Sequence, residues 1–163
     1  MEQTNCMPHE VRRRDRVLVE AEARAILARA EYGIMATVGA DGSPYAVPLN
    51  HVLCGNVLYL HCATEGHKLE NIFHEERVSF CAVASARVLP EKMSTLYESA
   101  VVFGRAATVN GAAEKRKALE ALAGRFYCTS PEEVEKSIAS NFSRTAVIRI
   151  EIDRITGKAH REG

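Results

Sequence analysis

Apolar and polar positions alternate with a period of two along most of this chain, and they follow a helical period in a few short stretches. From Val19 to Glu31 the pattern is helical: Ile26, Leu27 and Ala30 share one face, with charges opposite. Tyr32-Gly33 ends that helix, Gly33 being a natural stop. Ile34 to Gly39 reads as a short apolar strand, Ala40-Asp41-Gly42-Ser43 as a hairpin turn, and Pro44 to Leu53 as the returning strand. A turn at Gly55-Asn56 and a strand from Val57 to Ala63 complete an expected three-stranded antiparallel meander. Glu65 to Phe73 predicts a short helix with Leu69, Ile72 and Phe73 on one side, and Arg77 to Ser85 a strand. Residues 86–98 read as irregular. Ser99 to Val109 follows as a strand with a bulge or bend at Gly104. Ala112 to Arg125 is amphipathic, and Ser130-Pro131-Glu132-Glu133 is a second helix start, a cap followed by Pro and two acids near the positive dipole end. Thr145 to Ile152 is the last long strand, with a turn at Asp153-Arg154 and a short edge strand from Ile155 to His160. Six or seven antiparallel strands with three or four helices between them predict an α+β, mainly β, class built on a small barrel.

Composition narrows the partners. The chain has 163 residues, 47% apolar and 26% charged, which fits one globular domain. Lys+Arg and Asp+Glu are both 21, so no global basic field draws nucleic acid, and an anionic ligand needs local cations and backbone N–H groups. There is no run of about 18 apolar residues, hence no expected membrane span. The polar start of the chain does not read as a secretory signal. Five Cys without a CxxC, three of them in apolar runs, predict free, buried thiols in a reducing cytoplasm. Residues 1–15, with Arg12, Arg13 and Arg14, read as a flexible, solvated N-terminal arm ahead of a single domain over 16–163.

The candidate chemistry is concentrated in two segments. His61, His67 and His74 recur, but none has a metal-ligand partner at helical spacing, so no metal site is expected. GxSxG, GxxxxGK[ST] and GxGxxG are all missing. Thr64-Glu65-Gly66-His67-Lys68 lies where a strand feeds a helix. There Gly66 permits close backbone approach, the first helical N–H groups are unpaired, and Lys68 and His67 add donors, which together suit a phosphate dianion. The same residues also describe an ordinary helix start with two exposed basic side chains. In Tyr45-Ala46-Val47-Pro48-Leu49-Asn50-His51 the proline cannot donate to a ladder. One edge of this strand is therefore expected to be open, either to a flat heteroaromatic ligand or simply to solvent at a bulge.

Five pieces in order (GIMATVGADGSPYAVPLN, VLYLHCATEGHKLENI, RVSF, YESAVVFGRAATV and TAVIRIEIDRITGK) give the chain, over about residues 16–160, a resemblance to a known family. It resembles the FMN-binding split-barrel proteins of the pyridoxamine 5′-phosphate oxidase superfamily, and within them the nitroimidazole-reductase-like (Nim-like) flavoproteins. The resemblance implies a six-stranded antiparallel split β-barrel with flanking helices, forming a homodimer with FMN at the subunit interface. It implies that Val47, Pro48, Leu49 and Asn50 lie along the isoalloxazine ring. His61, Cys62 and Ala63 would meet the flavin and its ribityl chain, and Gly66, His67 and Lys68 would grip the phosphate. Glu98 and Ser99 would reach the partner's flavin, and Lys158 would approach it. His61 also matches the active-site histidine position of Nim proteins. Where the oxidases carry an Arg in the ring-binding strand this chain has Val47, and it has no Trp, so synthesis of pyridoxal phosphate is disfavoured. His67 stands where the oxidases have Arg, which implies weaker and more pH-sensitive phosphate binding. The implied activity is an oxidoreductase that passes electrons from a reduced nicotinamide through FMN to a small electrophile of nitro or quinone type, with His61 or His51 supplying a proton. The alternatives are a non-catalytic FMN-binding or sensing protein, or a haem-binding split barrel with His61 or His67 on the iron. Val101, Val102 and Phe103 are the candidate interface strip, or else core.

Overall fold

The computed structural model describes residues 10–127 and 130–162. Twelve main elements follow one another: β1 (Val17–Leu18), α1 (Glu20–Arg29), β2 (Gly33–Val38), β3 (Pro44–Leu49), β4 (Val52–Cys54), β5 (Val57–Ala63), α2 (His67–His74), β6 (Arg77–Leu89), β7 (Ser94–Thr108), α3 (Ala112–Phe126), α4 (Pro131–Asn141) and β8 (Thr145–His160). All strand pairings are antiparallel, in the order β3-β2-β6-β7-β8-β5-β4, with β1 added on β8. The six long strands are the expected staves, and β1 and β4 are additions of two and three residues. The class is α+β and the barrel is split: the hydrogen-bonded path does not close.

The meander expected from Ile34 to Ala63 is two hairpins instead. The stretch read as one strand, Pro44 to Leu53, breaks at Asn50-His51, and its halves sit at opposite ends of the strand order. The break is physical, because His51 turns inward and is fully buried. Its Nε2–H donates to the Leu27 carbonyl at 2.7 Å, and its ring meets Phe80 edge-on at 4.8 Å between centroids. Nδ1 of the same ring has no partner. The first hairpin turn is as expected, with the Ser43 N–H and hydroxyl both donating to the Asp41 carboxylate at 2.9 and 2.8 Å.

Other boundaries moved for identifiable reasons. Residues 86–98 are not irregular: β6 and β7 run on as a long hairpin, with Ser85 opposite Glu98 and Leu89 opposite Ser94. Ser85 to Val88 are all exposed and Leu96 to Glu98 are all half-buried, so no alternation marks the extension, although Leu89 at its tip is buried; Val88 is 68% exposed. The expected turn at Asp153-Arg154 is a bulge within one continuous strand, β8. Phe103 pairs with Arg154 and Gly104 with Ile152, which leaves Asp153 as the extra residue. A side chain at Gly104 would stand 2.1 Å from the Glu151 carbonyl oxygen, so the close approach there needs glycine. Ile155 to His160 is accordingly interior, between β7 and β1. In α2, Leu69 and Ile72 face the core, but Phe73 is 94% exposed and not on their side. The thiols of Cys54, Cys62 and Cys81 are free, as expected. Cys54, however, is exposed and the other two are only half-buried; Cys6 lies outside the described residues, as does Cys128. Of the expected arm, residues 1–9 also lie outside them, and Arg14–Arg16 form a single 3-10 turn.

Strand alternation sorts the barrel into two faces. Met35, Phe80, Val102 and Ile155, in register across β2, β6, β7 and β8, belong to the core with Ile26 and Leu27 of α1. The next row out of phase, Pro48, Ile34, Cys81, Val101 and Thr156, lies on the outer face, flanked by Val83-Ser99-Lys158 on one side and Ala36-Ser79-Phe103 on the other. Val102 is therefore core, while Val101 and Phe103 belong to a half-covered, largely apolar outer surface on which Val83 is 50% exposed. Among the described residues no helix is long and apolar enough to cross a membrane.

Burial holds the His51 imidazole down to about 4, against a gain from the Leu27 hydrogen bond and a further push down from Arg125. The unfolded chain binds this proton near the ordinary value of 6.5 and the folded chain does not. The associated stability is complete above about pH 6.5 and is lost as the pH falls toward 4, by about 3 kcal/mol in all. Urea unfolding at pH 7 and pH 4 should show that loss in the native chain and a loss smaller by this amount in His51→Gln. Equal losses in the two would mean that His51 is charged in the fold.

Candidate functional site

Two features lie at the end of β5. The first is the joint between β5 and α2. Gly66 caps α2 with φ +126° and ψ 165°, a conformation open in practice only to glycine, and no atom lies within 4 Å of where its Cβ would stand. That geometry keeps Thr64 and Glu65 out of the helix, which begins at His67. The Gly66 carbonyl accepts from the Leu69 and Glu70 N–H groups at 2.9 and 3.3 Å, while the first N–H groups of a helix have no acceptor inside it. Lys68 is half-buried here, and its ammonium opposes the upward push that burial gives the Cys62 thiol. His67 is exposed, with its ring 4.3 Å from that of Tyr45. The Asp41 carboxyl is held below its usual range mainly by the Ser43 N–H and hydroxyl, and in smaller part by His67. The joint is an open cradle of amides with the Lys68 ammonium beside it, on a segment that also carries the exposed carboxylates of Glu65 and, in the first turn of α2, Glu70.

The second feature is a groove of about 660 Å³ lined by Tyr32, Ile34, Pro48, Leu49, Asn50 and His61. Pro48, Leu49 and Asn50 meet His61, eleven residues on, because β3 and the end of β5 flank the seam where the strand order ends. β3 pairs only with β2, so its other edge is open. Pro44, Ala46 and Pro48 share a parity opposite Val38, Ala36 and Ile34. Prolines fit a ladder only where no N–H is needed, so this parity turns the peptide groups of Ala46 toward the open edge. Of the four residues expected along the ring, Val47 and Leu49 pack against the core, leaving Pro48 and Asn50 as the exposed residues of the segment. The Asn50 Nδ2–H donates to the Glu31 carbonyl at 2.8 Å. Burial lowers the pKa of His61, so this half-buried ring is neutral at pH 7, and no lining residue of the groove carries a formal charge. His51, the other candidate proton source, is sealed in the core with Nε2–H engaged.

The remaining expected residues are elsewhere. Cys62 packs against the core beside the cradle, and Ala63 is exposed at the end of β5. Ser99 and Lys158 are cross-strand neighbours on the outer face of β7 and β8. Glu98 is tied down by the Arg29 guanidinium and by Arg161 at 2.8 Å, and these hold its carboxyl below the usual range, Arg29 foremost. The sequence reading missed Tyr32 and Ile34. The signal for Tyr32 was available: an aromatic residue immediately before the expected stop at Gly33, 56% exposed in the fold. Among the described residues no three His, Cys, Asp or Glu side chains cluster as a metal site requires.

Solved structures share this fold at low identity. A candidate 5-nitroimidazole antibiotic resistance protein from Bacteroides thetaiotaomicron is 23% identical, with a TM-score of 0.70 over 87% of this chain and 85% of its own. An FAD-binding protein from Mesorhizobium loti is 22% identical, with a TM-score of 0.67 over 90% and 98%. An FAD- and haem-binding protein from Mycobacterium smegmatis is also 22% identical, with a TM-score of 0.65 over 84% and 69%. No curated protein matches the chain. The model of the pyridoxamine 5′-phosphate oxidase family matches residues 19–159, nearly the whole described barrel, and the chain belongs to that family.

Proposed function

We propose that this protein binds FMN across the groove and the cradle and works as an FMN-dependent oxidoreductase. The observation that carries the reading is the adjacency, at the end of one strand, of an uncharged groove and an amide cradle that holds the Lys68 ammonium. Five residues of chain, at most about 18 Å, separate His61 from Gly66. The groove is of a size that suits a planar ring system. The cradle offers unpaired amides, the Lys68 ammonium and room beside Gly66 for a phosphate. Flavin- and haem-binding proteins share the fold, and the phosphate-type cradle favours the flavin.

The flavin, when bound, supplies the transfer of electrons between a donor and an acceptor. The chain's own residues do the rest. Pro48 and Ile34 wall one side of the ring and exclude water from it. On the open edge of β3 the N–H of Ala46, the one donor between Pro44 and Pro48, is free to donate toward charge that develops on the ring. His61, neutral at pH 7, can hold or pass a proton at a ring nitrogen beside the groove. The electron donor in this reading is a reduced nicotinamide, docking transiently because no dinucleotide fingerprint is present, and the acceptor is a small nitro or quinone compound. The outer apolar face of β2, β6 and β7 is the surface for a second copy, which brings Ser99 and Lys158 toward the partner's groove.

Three measurements check the reading. Lys68→Ala should weaken FMN binding by about 1.5–3 kcal/mol, the scale of a charge-assisted contact, in a fluorescence titration; equal affinity would remove Lys68 from the site. Anaerobic NADH or NADPH should bleach the flavin band near roughly 450 nm, and a nitro or quinone compound should restore it. A band that neither nicotinamide bleaches rules these donors out. Sedimentation equilibrium should give the mass of two chains for the native protein and of one for Val101→Glu. A native monomer that holds FMN would overturn the shared site.

A further inference from the structure

The carbonyl end of α1 is where three separate parts of the chain converge. A helix leaves its last C=O groups without donors of its own. Here the Leu27 carbonyl accepts from His51 Nε2–H at 2.7 Å, the Glu31 carbonyl from Asn50 Nδ2–H at 2.8 Å, and the Ala30 carbonyl from the guanidinium of Arg125, in the last turn of α3. The Arg125 guanidinium also lies 5.0 Å from the ring centroid of Phe126. Two lining residues of the groove depend on this junction: Asn50 is bonded to it, and Tyr32 is the residue that leaves it. The end of a helix that carries about half a negative charge thus stands behind the groove wall, with the Arg125 guanidinium set against it from α3 while Arg29 of its own last turn is engaged by Glu98.

We propose that Arg125 and His51 are positioning residues of the groove, which cap the carbonyl end of α1, fix Tyr32 and Asn50 in place and shield the ring site from the negative pole of the helix. The proposal rests on the flavin reading only for the shielding. Positioning belongs to the protein alone. Neither residue touches the groove, and neither is among its lining. Arg125→Gln keeps a donor and loses the charge; Arg125→Lys keeps the charge and loses the planar fork.

The test has a flavin-free arm and a flavin-loaded arm. In the flavin-free protein, amide hydrogen exchange over residues 30–33 and 49–52 should quicken by about tenfold or more in Arg125→Gln and in His51→Gln, with β6 and β7 unchanged. In the loaded protein, Arg125→Gln should raise the FMN dissociation constant by about three- to tenfold and move the midpoint potential of the flavin to a more negative value. That direction follows because an unshielded helix pole disfavours added electrons. Arg125→Lys should return the potential toward that of the native protein, a rescue that a purely structural role would not produce. Exchange and potential both at native values in Arg125→Gln overturn the proposal, whatever its melting temperature does. A native protein that takes up no FMN defeats the flavin reading, and faster exchange confined to the two segments still supports the clamp.

Discussion

The structure turns on the two-residue joint between β3 and β4. These strands stand first and last in the seven-strand path. Laid flat, seven strands would hold them about 29 Å apart. Yet three peptide units, spanning at most about 11 Å, connect Leu49 to Val52. The sheet must roll until its edges meet there. The rolling creates the interior that Met35, Phe80, Leu58, Leu60, Ile148 and Ile150 fill, and it sets Pro48, Leu49 and Asn50 against His61. The groove is the outer side of the seam, so the constraint that makes the core also makes the site.

What the sequence disclosed follows from what burial writes into it. α1 and α3, and β2 and β5, were legible because one face of each is buried and the other is not, so the apolar period survives in the residues. The Ser130 cap was legible because it is local: its hydroxyl accepts from the Glu133 N–H at 3.2 Å and the Glu133 carboxylate answers at 3.1 Å. The far part of the β6–β7 hairpin, residues 86–98, was not legible, since burial does not alternate along it, and the bulge at Asp153 looked like a turn because polar residues interrupt the alternation in either case. The break at Asn50-His51 was hidden for a different reason. An apolar–polar pattern runs straight through it, and only the burial of a polar ring, a tertiary event, reveals the corner. Of the site, the cradle could be named from its own residues, and four groove residues through the family resemblance. Arg125 could not, since its role comes from where α1 ends in space.

The charges at the site are few and segregated. The cradle has Lys68 and the amides of α2, while the groove has none, burial having lowered the pKa of His61. An electrically plain wall leaves the energetics of an electron-accepting ring to backbone dipoles and to whatever lies behind the wall. The carbonyl end of α1 stands behind it, and that dipole has the wrong sign for a ring that gains electrons.

That sign explains why the junction takes the donors it does. Three water molecules would satisfy the terminal carbonyls of α1 equally well if hydrogen bonding were the sole requirement, but they would leave the seam free to open and the pole uncancelled. A buried neutral imidazole closes the seam without adding charge to the core, at the cost of stability in acid. An arginine from α3, whose guanidinium keeps its charge in all ordinary conditions, supplies the cation where the helix end is negative. Stability and electrostatics are thereby joined in one cluster. Loosening His51 opens the corner that carries Asn50, and removing Arg125 exposes the same corner to an uncompensated dipole. The residues that hold the barrel shut are therefore the ones through which a ring at the seam would sense the rest of the fold.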